Sequence, residues 1–448
     1  MKAFKAYDIR GAFPEDWNGE DAYKIGYFLP RLLDTKNILI GRDVRLSSDE
    51  IFSYLSRGIM DSGANVLNMG LATTPMVYWA TTRLGLEASV QITASHNPKN
   101  HNGLKVSATN AMPVGYENGL KKIEQWMKVE PIKIAGKTGS TREIDLRSEY
   151  LQFMGNHVPD LLGMKITIDC SNGMAGMFIR ELLGDTHIYI NEKPDGRFPG
   201  HDPNPLNPKN ITQLSQTVLE NNSDLGVIFD GDADRVMFVD ERGKFISPDL
   251  MIAVLGHKFL DGHPGIRVLQ DIRTSKSVGE YLEKMGAEMH IWRVGRAFAA
   301  PKLREIDGLY GGELAGHYYF RDFNYSDSGI LASLHIMEVL ARVVSNGRTV
   351  SSMIESITNY ANSGEINFVI EDKISAISAV VDQISSVEAP LRKYDFDGIR
   401  MEFADWWFNI RPSNTEPYLR FLAEARDEDL LKDKLVQIRT ILKPFIHQ

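Results

Sequence analysis

"NILIGRDVRLSSDEIFSYLSRGIMDSGANVLNMG", residues 37–70, decides the fold class. It opens on a short apolar, β-branched run that stops at Asp43, the signature of a buried strand. From "SSDEIF" onward the apolar residues Ile51, Leu55 and Ile59 recur at helical spacing, with Ser47 or Ser48 as the N-cap. "NVLNMG" is then a second strand, so the stretch spells strand, helix, strand, the α/β unit.

The same alternation extends in both directions. "TTPMVYWATTRLG" (73–85) predicts a helix, and "ASVQITAS" (88–95) a strand that runs into a polar turn. The order restarts near Arg147: "KITIDCSNGMAGMFIRELLG" (165–184) reads strand, glycine-containing turn, helix, and "LGVIFDGDADRVMFVDERG" (225–243) reads two strands around an acidic loop. A third restart follows "ISPDLMIAVLGHKFL", with strands in "IRVLQDIR" and "EMHIWRVG" and helices in "SKSVGEYLEKMG" and "FAAPKLREI". The repetition is of element order, not of letters. From Ser363 the character changes to strands in "GEINFVI", "GIRMEFADWWFNIRPS" and "LRFLAEAR" with two longer helices. The expectation is three related α/β domains, residues 1–146, 147–245 and 246–362, and a smaller α+β domain, residues 363–448.

A chain of 448 residues is too long for one core, which agrees with about three or four domains. A net charge of -9 leaves no basic excess to neutralise phosphates, arguing against nucleic acid as a main partner. Cys170 is the single cysteine, so no intrachain disulfide forms, as suits a reducing cytoplasm. The N-terminus lacks the apolar core of a secretory signal, and no apolar stretch approaches a membrane span. Cytoplasmic localisation without membrane attachment is expected. No pattern selects between monomer and dimer.

Polar loops carry the chemistry. "QITASHNPKN" (91–100) lifts the Ser95 hydroxyl off a strand end and fences it with His96 and Asn97. "DGDADR" crowds Asp230, Asp232 and Asp234, whose carboxylates repel one another unless a cation such as Mg²⁺ joins them. Mg²⁺ keeps a coordination position for water or a phosphate oxygen, which points to a phosphorylated partner. An EF-hand also begins Asp-x-Asp-x-Asp, but Arg235 stands where that loop needs glycine, and strands flank it. A solvated acidic turn is the plain alternative. "YDIRG" and "GRDVR" place arginines beside turns, as surface salt-bridge partners when taken alone. Lys105 in "NGLK" follows the serine loop, and glycines flank Glu313 before His317 in "GGELAGHYYF". "RPSNTEP" offers the planar fork of Arg411 with Ser413, Asn414 and Thr415, a set of donors for phosphate or a capped turn. Together these loops call for phosphoryl transfer on a phosphorylated small molecule.

With "KAYDIRG", "TASHNP", "NGLK", "DGDADR", "GGELAGHYYFRDF", "SGEIN" and "FADWWFNIRPSNTEP" in this order, the chain resembles the α-D-phosphohexomutases, and within them the bacterial phosphomannomutase group. The resemblance runs from the first ten residues to the last forty. It implies four domains around a central cleft, three related α/β mixed-sheet domains and a smaller C-terminal one. It implies that Ser95 is the phosphoserine, that Asp230, Asp232 and Asp234 hold Mg²⁺ with the Ser95 phosphate, and that Glu313 contacts sugar hydroxyls. Arg411, Ser413, Asn414 and Thr415 would cradle the distal phosphate, while Tyr7, Arg10, His96, Lys105, Arg235 and His317 line the cleft. The implied reaction is a double transfer through a hexose 1,6-bisphosphate, which also serves as activator, on a hexose phosphate substrate. Neighbouring residues at a strand end point apart, so His96 is expected to bond phosphate rather than act as base for Ser95. Lys105 is the candidate base, on the condition that nearby cations depress its pKa. Departures fall where the sugar is recognised: "RVGRAFAAPK" has Arg296 and Ala300 where relatives often carry histidine and lysine, "GELAGH" has Ala315 for a serine, and "DIRTS" has Arg273 for lysine. Arg296 could grip a substrate phosphate.

Overall fold

The structure is a computed structural model that describes residues 1–413 and 418–446. Four sheets follow one another along the chain. In the first, Asn37–Arg42 lies between Asn65–Leu71 and Ala88–Ile92, parallel to both, and Ala88–Ile92 pairs antiparallel with His101–Ala108. Ile9–Ala12 and Met112–Val114 both add to His101–Ala108. The second sheet repeats this plan: Ile166–Asp169 between Ile188–Ile190 and Leu225–Phe229, then Val236–Asp240 antiparallel. So does the third: Arg267–Asp271 between Glu288–Trp292 and Tyr310–Gly312, then Tyr318–Phe320 antiparallel. The repeat of element order is therefore a repeat of sheet topology.

A short letter-level repeat accompanies it. The residue leaving the strand that lies between two parallel neighbours in each unit is Asp43, Asp169 or Asp271, and in each case one carboxylate oxygen accepts from the backbone N–H two residues on, at Arg45 (3.0 Å), Ser171 (2.8 Å) and Arg273 (2.6 Å). The aspartate holds the strand's exit turn by the ordinary Asx mechanism.

Strand periodicity decides where the cores lie. Ile38 and Ile40 face one side of the first sheet and pack under helices Gly19–Leu33 and Ser48–Asp61. Those helices touch backbone to backbone: a Cβ on Gly26 would sit 2.2 Å from the Leu55 carbonyl oxygen, and one on Gly58 2.0 Å from that of Tyr23. Leu39 faces the other side and joins a core that continues through Ile168 and Phe229 of the second sheet to Val268 and Tyr310 of the third. Helix Arg147–Gly155 welds the first two units, with Tyr150 against Trp79 at 5.4 Å and Phe178 at 5.3 Å. The cores thus do not follow the four expected units: one is shared by three of them. The smaller α+β part, with its own sheet, has a separate core under helices Lys373–Val387 and Glu428–Leu442. There the apolar run 398–413 is a hairpin of Ile399–Glu402 and Trp406–Pro412, turning where Phe403 N–H donates to the Trp406 carbonyl at 2.9 Å.

Helix Ser48–Asp61 begins as the periodicity predicts, but neither serine caps it with its side chain. Their oxygens instead accept from Asn102 Nδ2, at 2.9 Å for Ser47 and 3.1 Å for Ser48, and Ser48 Oγ donates to Asp43 at 2.8 Å. No single helix among the described residues is long and apolar enough to cross a membrane; the most apolar long one, Gly329–Ser345, lies largely in the shared core.

The C-terminal part docks on the third sheet through Arg400. Its guanidinium is 1% exposed, donates to the carbonyls of Ile272 (2.9 Å) and Thr274 (2.7 Å), pairs with Glu402 at 2.7 Å, and stacks 3.7 Å over the Trp407 ring. Arg400→Ala strands Glu402 and both carbonyls. It is expected to cost about 3–5 kcal/mol, read as a lower denaturation midpoint in urea.

Candidate active site

In each repeated unit the antiparallel hairpin, Ala88–Ile92/His101–Ala108, Leu225–Phe229/Val236–Asp240 or Tyr310–Gly312/Tyr318–Phe320, carries that unit's polar loop. In the first unit it is residues 93–100. Ser95 adopts φ 51, in the left-handed region, which turns the chain back and aims Oγ at the neighbouring unit. Oγ donates to Asp230 Oδ2 at 2.7 Å. The same turn brings His96 Nδ1 to 3.4 Å from Oγ. The two side chains therefore do not point apart as strand geometry suggested, because Ser95 is not in strand conformation; at 3.4 Å the contact is still longer than a working base–nucleophile bond. Burial, then Arg235, Arg10 and Lys105, hold the His96 pKa well below the usual imidazole range, so the ring is neutral.

The loop is built on a residue that sequence reasoning placed at the surface. Arg45 is 2% exposed. It donates to the carbonyls of Ser95, Asn97 and Pro98, each at 2.7 Å, and of His101 at 2.9 Å. It also pairs with Asp43 at 3.2 Å. Asp43 in turn accepts from Thr93 Oγ1 at 2.7 Å, and Thr93 Oγ1 accepts from Ser95 N–H at 2.9 Å. A guanidinium satisfying four carbonyls of one turn rigidifies that turn, and a lysine could not match its fork. The Asp-x-Arg pattern shared with residues 271–273 was the signal available for it. Arg10, which the family resemblance placed in the cleft, is partly buried and reaches the same loop, donating to Asn97 Oδ1 at 3.1 Å and pairing with Asp8.

In the second unit the acidic loop forms the tip of the Leu225–Phe229/Val236–Asp240 hairpin. Asp230, Asp232 and Asp234 are at most 1% exposed, and one oxygen of each lies within 4.8 Å of the others. A solvated turn is thereby ruled out. Burial, then Asp232 and Asp234, push the Asp230 carboxyl well above the usual carboxylate range. Lys105 Nζ donates to Asp232 Oδ2 at 2.7 Å and to Asp234 Oδ2, and Thr74 Oγ1 also donates to Asp232. Burial works to lower the Lys105 pKa, but the two aspartates outweigh it and the pKa is raised. The depressed lysine pKa expected for a base is therefore not found, since its nearest charges are anions.

These residues fit a divalent cation. Asp232 Oδ1 and Asp234 Oδ1 are buried and find no hydrogen-bond partner among the described residues, and an all-oxygen set of this charge suits a hard ion.

The third unit faces the same space. Arg235 Nε donates to His317 Nε2 at 2.8 Å, and His317 Nδ1 donates to Asp327 Oδ2 at 2.6 Å, which sets the ring's tautomer. Glu313 is 2% exposed; its Oε1 accepts from Tyr319 Oη at 2.7 Å and from Gly295 N–H at 3.0 Å, and burial raises its pKa. Tyr7, Arg10, Lys105, Arg235, Arg296, Glu313, Ala315 and His317 line one cavity of about 160 Å³. Arg296 borders it with its guanidinium directed at protein groups. Tyr78 and Asp327, absent from every motif read in the sequence, line it too.

From the C-terminal sheet, Arg411 is 7% exposed, stands 3.7 Å from Glu365, and has its pKa lowered first by burial and then by Arg273. Arg273 is held by Asp271 at 2.7 Å. Ser413 N–H donates to the Tyr418 carbonyl at 2.9 Å. Asn414 and Thr415 lie outside the described residues.

A hydroxyl 2.7 Å from a buried carboxylate cluster, ringed by arginines and facing a sugar-sized cleft, defines with this fold a phosphotransferase of the isomerase type. Residues 1–131, 148–243 and 247–360 match the families described as phosphoglucomutase/phosphomannomutase, alpha/beta/alpha domains I, II and III, and residues 365–441 match the C-terminal domain. The chain belongs to the phosphoglucomutase/phosphomannomutase family, within the phosphohexomutases. It is 35% identical to a phosphomannomutase of Escherichia coli over 99% of both chains, and 34% identical to a Xanthomonas campestris protein named for phosphohexose mutases, again over 99% of both. A phosphoglucomutase/phosphomannomutase family protein from Burkholderia thailandensis, 25% identical, has a crystal structure that matches with a TM-score of 0.89 over 99% of this chain and 97% of that one. The open form of a Paramecium phosphoglucomutase, at 17% identity and a TM-score of 0.79 over 99% and 95% of the two chains, shares the fold.

Proposed function

We propose that the protein interconverts mannose 6-phosphate and mannose 1-phosphate through phosphorylated Ser95 and a hexose 1,6-bisphosphate. The observation that carries this reading is the 2.7 Å approach of Ser95 Oγ to Asp230 across two units of the fold. It supports a reading in which the hydroxyl acts as nucleophile beside a cation site. Asp230, Asp232 and Asp234 would hold Mg²⁺, which when bound neutralises charge on phosphoryl oxygens. Arg45 fixes the nucleophile's turn. His96, neutral, and Arg10 stand beside Ser95 to hold phosphoryl oxygens by hydrogen bond and charge. Lys105, kept as an ammonium, is assigned to charge neutralisation on the transferring group rather than to proton abstraction. Glu313 and His317 orient the sugar. Arg411 with Ser413, Asn414 and Thr415 grips the phosphate that is not reacting, so positioning and charge do most of the work. The setting proposed is the cytoplasm.

Glucose phosphate is the alternative substrate, supported by the family's double name. The two sugars differ in the configuration of one hydroxyl, and Ala315 is among the residues that line the cavity. A coupled assay comparing mannose 1-phosphate with glucose 1-phosphate, primed with the matching 1,6-bisphosphate, tests the choice; a higher kcat/KM for mannose is expected. A chain that binds either sugar phosphate but never transfers labelled phosphate to Ser95 would instead be a phosphosugar binder.

A further inference from the structure

Helix Arg296–Glu305 starts at the cleft wall of the third unit, yet its two cationic ends reach the first unit. Arg296 Nη2 donates to the Ala111 carbonyl at 2.5 Å. Arg304 Nη2 donates to the Asn110 carbonyl at 2.8 Å and to the Asn324 carbonyl at 2.6 Å. Consecutive carbonyls of one turn are thus taken by two arginines of one helix. That turn is unusual backbone: Asn110 has φ 58 and Ala111 φ 55. Two successive left-handed residues without glycine are costly, and surrounding contacts must hold them.

The rest of the helix start packs on the first unit as well. The Arg296 guanidinium lies 3.6 Å from the Tyr78 ring centre, and Phe298 meets Tyr7 edge-on at 5.7 Å. Arg296 Nε stands 3.2 Å from Asp327 Oδ1 as an ion pair. Asp327 is the carboxylate that receives the His317 N–H, so the same guanidinium touches the group that orients a cleft histidine. With its side chain 12% exposed, its Nη2 donating to Ala111 and its Nε at ion-pair distance from Asp327, Arg296 is already engaged by protein groups on the cleft wall.

We propose that Arg296 and Arg304 form a clasp that pins the third unit to the first across the cleft floor, and that Arg296 is a positioning residue which keeps the cleft narrow while the bisphosphate intermediate turns over. The second half of this statement rests on the mutase reading above; the clasp itself does not. Histidine or alanine at position 296 cannot span to Ala111 and pair with Asp327 at once. Lysine can keep one of the two contacts but lacks the fork and the planar stack on Tyr78.

Two measurements on the full chain test it. Hydrogen exchange of the segment 108–114 is expected to speed up about tenfold in Arg296→Ala and less in Arg296→Lys, because the turn loses its holding contacts. In steady-state assays the 1,6-bisphosphate concentration giving half-maximal rate is expected to rise about tenfold in Arg296→Ala, since a looser cleft releases the intermediate before it turns. In Arg304→Ala, which does not line the cavity, labelled phosphate transfer to Ser95 should remain near the wild-type extent. Should Arg296→Ala not fold, Arg304→Ala, farther from the cleft, must show the same acceleration of exchange. Wild-type exchange in 108–114 overturns the clasp. Faster exchange with an unchanged bisphosphate requirement overturns the positioning role. A wild-type protein without mutase turnover sinks the proposed reaction, and leaves the exchange result to decide the clasp alone.

Discussion

Ser95→Ala is expected to reduce mutase turnover by at least about 10⁴-fold, because in the proposed reaction Ser95 carries the transferred group and has no substitute. Substrate binding should survive, since none of the groups assigned to the sugar or the distal phosphate is altered. The substitution has a second, structural effect. Asp230 is fully buried, and Ser95 Oγ is one of its donors. Losing that donor leaves a carboxylate oxygen less satisfied and should lower stability by about 1–3 kcal/mol. Turnover and labelled-phosphate uptake at position 95 check the first effect; a urea melt checks the second. Uptake of label by the Ser95→Ala chain at the wild-type rate would remove Ser95 from the mechanism.

Asp230→Asn is expected to separate stability from activity. In the wild-type chain the Asp230 carboxyl is pushed up by burial and by two neighbouring aspartates, so its ionised form weighs against folding near neutral pH. Replacing it with an uncharged isostere should therefore stabilise the Mg²⁺-free protein by about 1 kcal/mol. The opposite holds for ion binding. At free Mg²⁺ about 100 times its Kd, the wild-type chain should gain about 2.7 kcal/mol of stability, and the variant well under half of that. Turnover should fall about 10²–10³-fold, the usual cost of losing one charge-stabilising contact. Melting curves with EDTA and with Mg²⁺ give both signs. An undiminished Mg²⁺-dependent shift in Asp230→Asn would place the ion elsewhere.

The candidate site was legible because the residues of each of its loops are contiguous in the chain. "TASHNP" and "DGDADR" each lie in one turn, and their residue types carry meaning before any folding is considered. The groups that hold those turns were not. Arg45 looks like any surface arginine until residues 95–101, fifty positions on, fold over it. Tyr78 and Asp327 carry no motif, and they enter the cleft only because a helix of the first unit and a two-residue strand of the third come together there. The surroundings of Lys105 were hidden for the same reason. Its pKa depends on which charges lie nearest, and the nearest are Asp232 and Asp234, more than a hundred residues away.

Periodicity and turn chemistry are local, so the chain alone determined the order of its elements, the three-fold restart and the presence of a phosphoryl-transfer constellation. Tertiary structure decided which hairpin tips converge, that three units share one core, the left-handed turn that aims Ser95, and the charge state of the cleft. Those properties arise from burial and from pairing between distant segments. Neither has a signature within a single stretch of sequence.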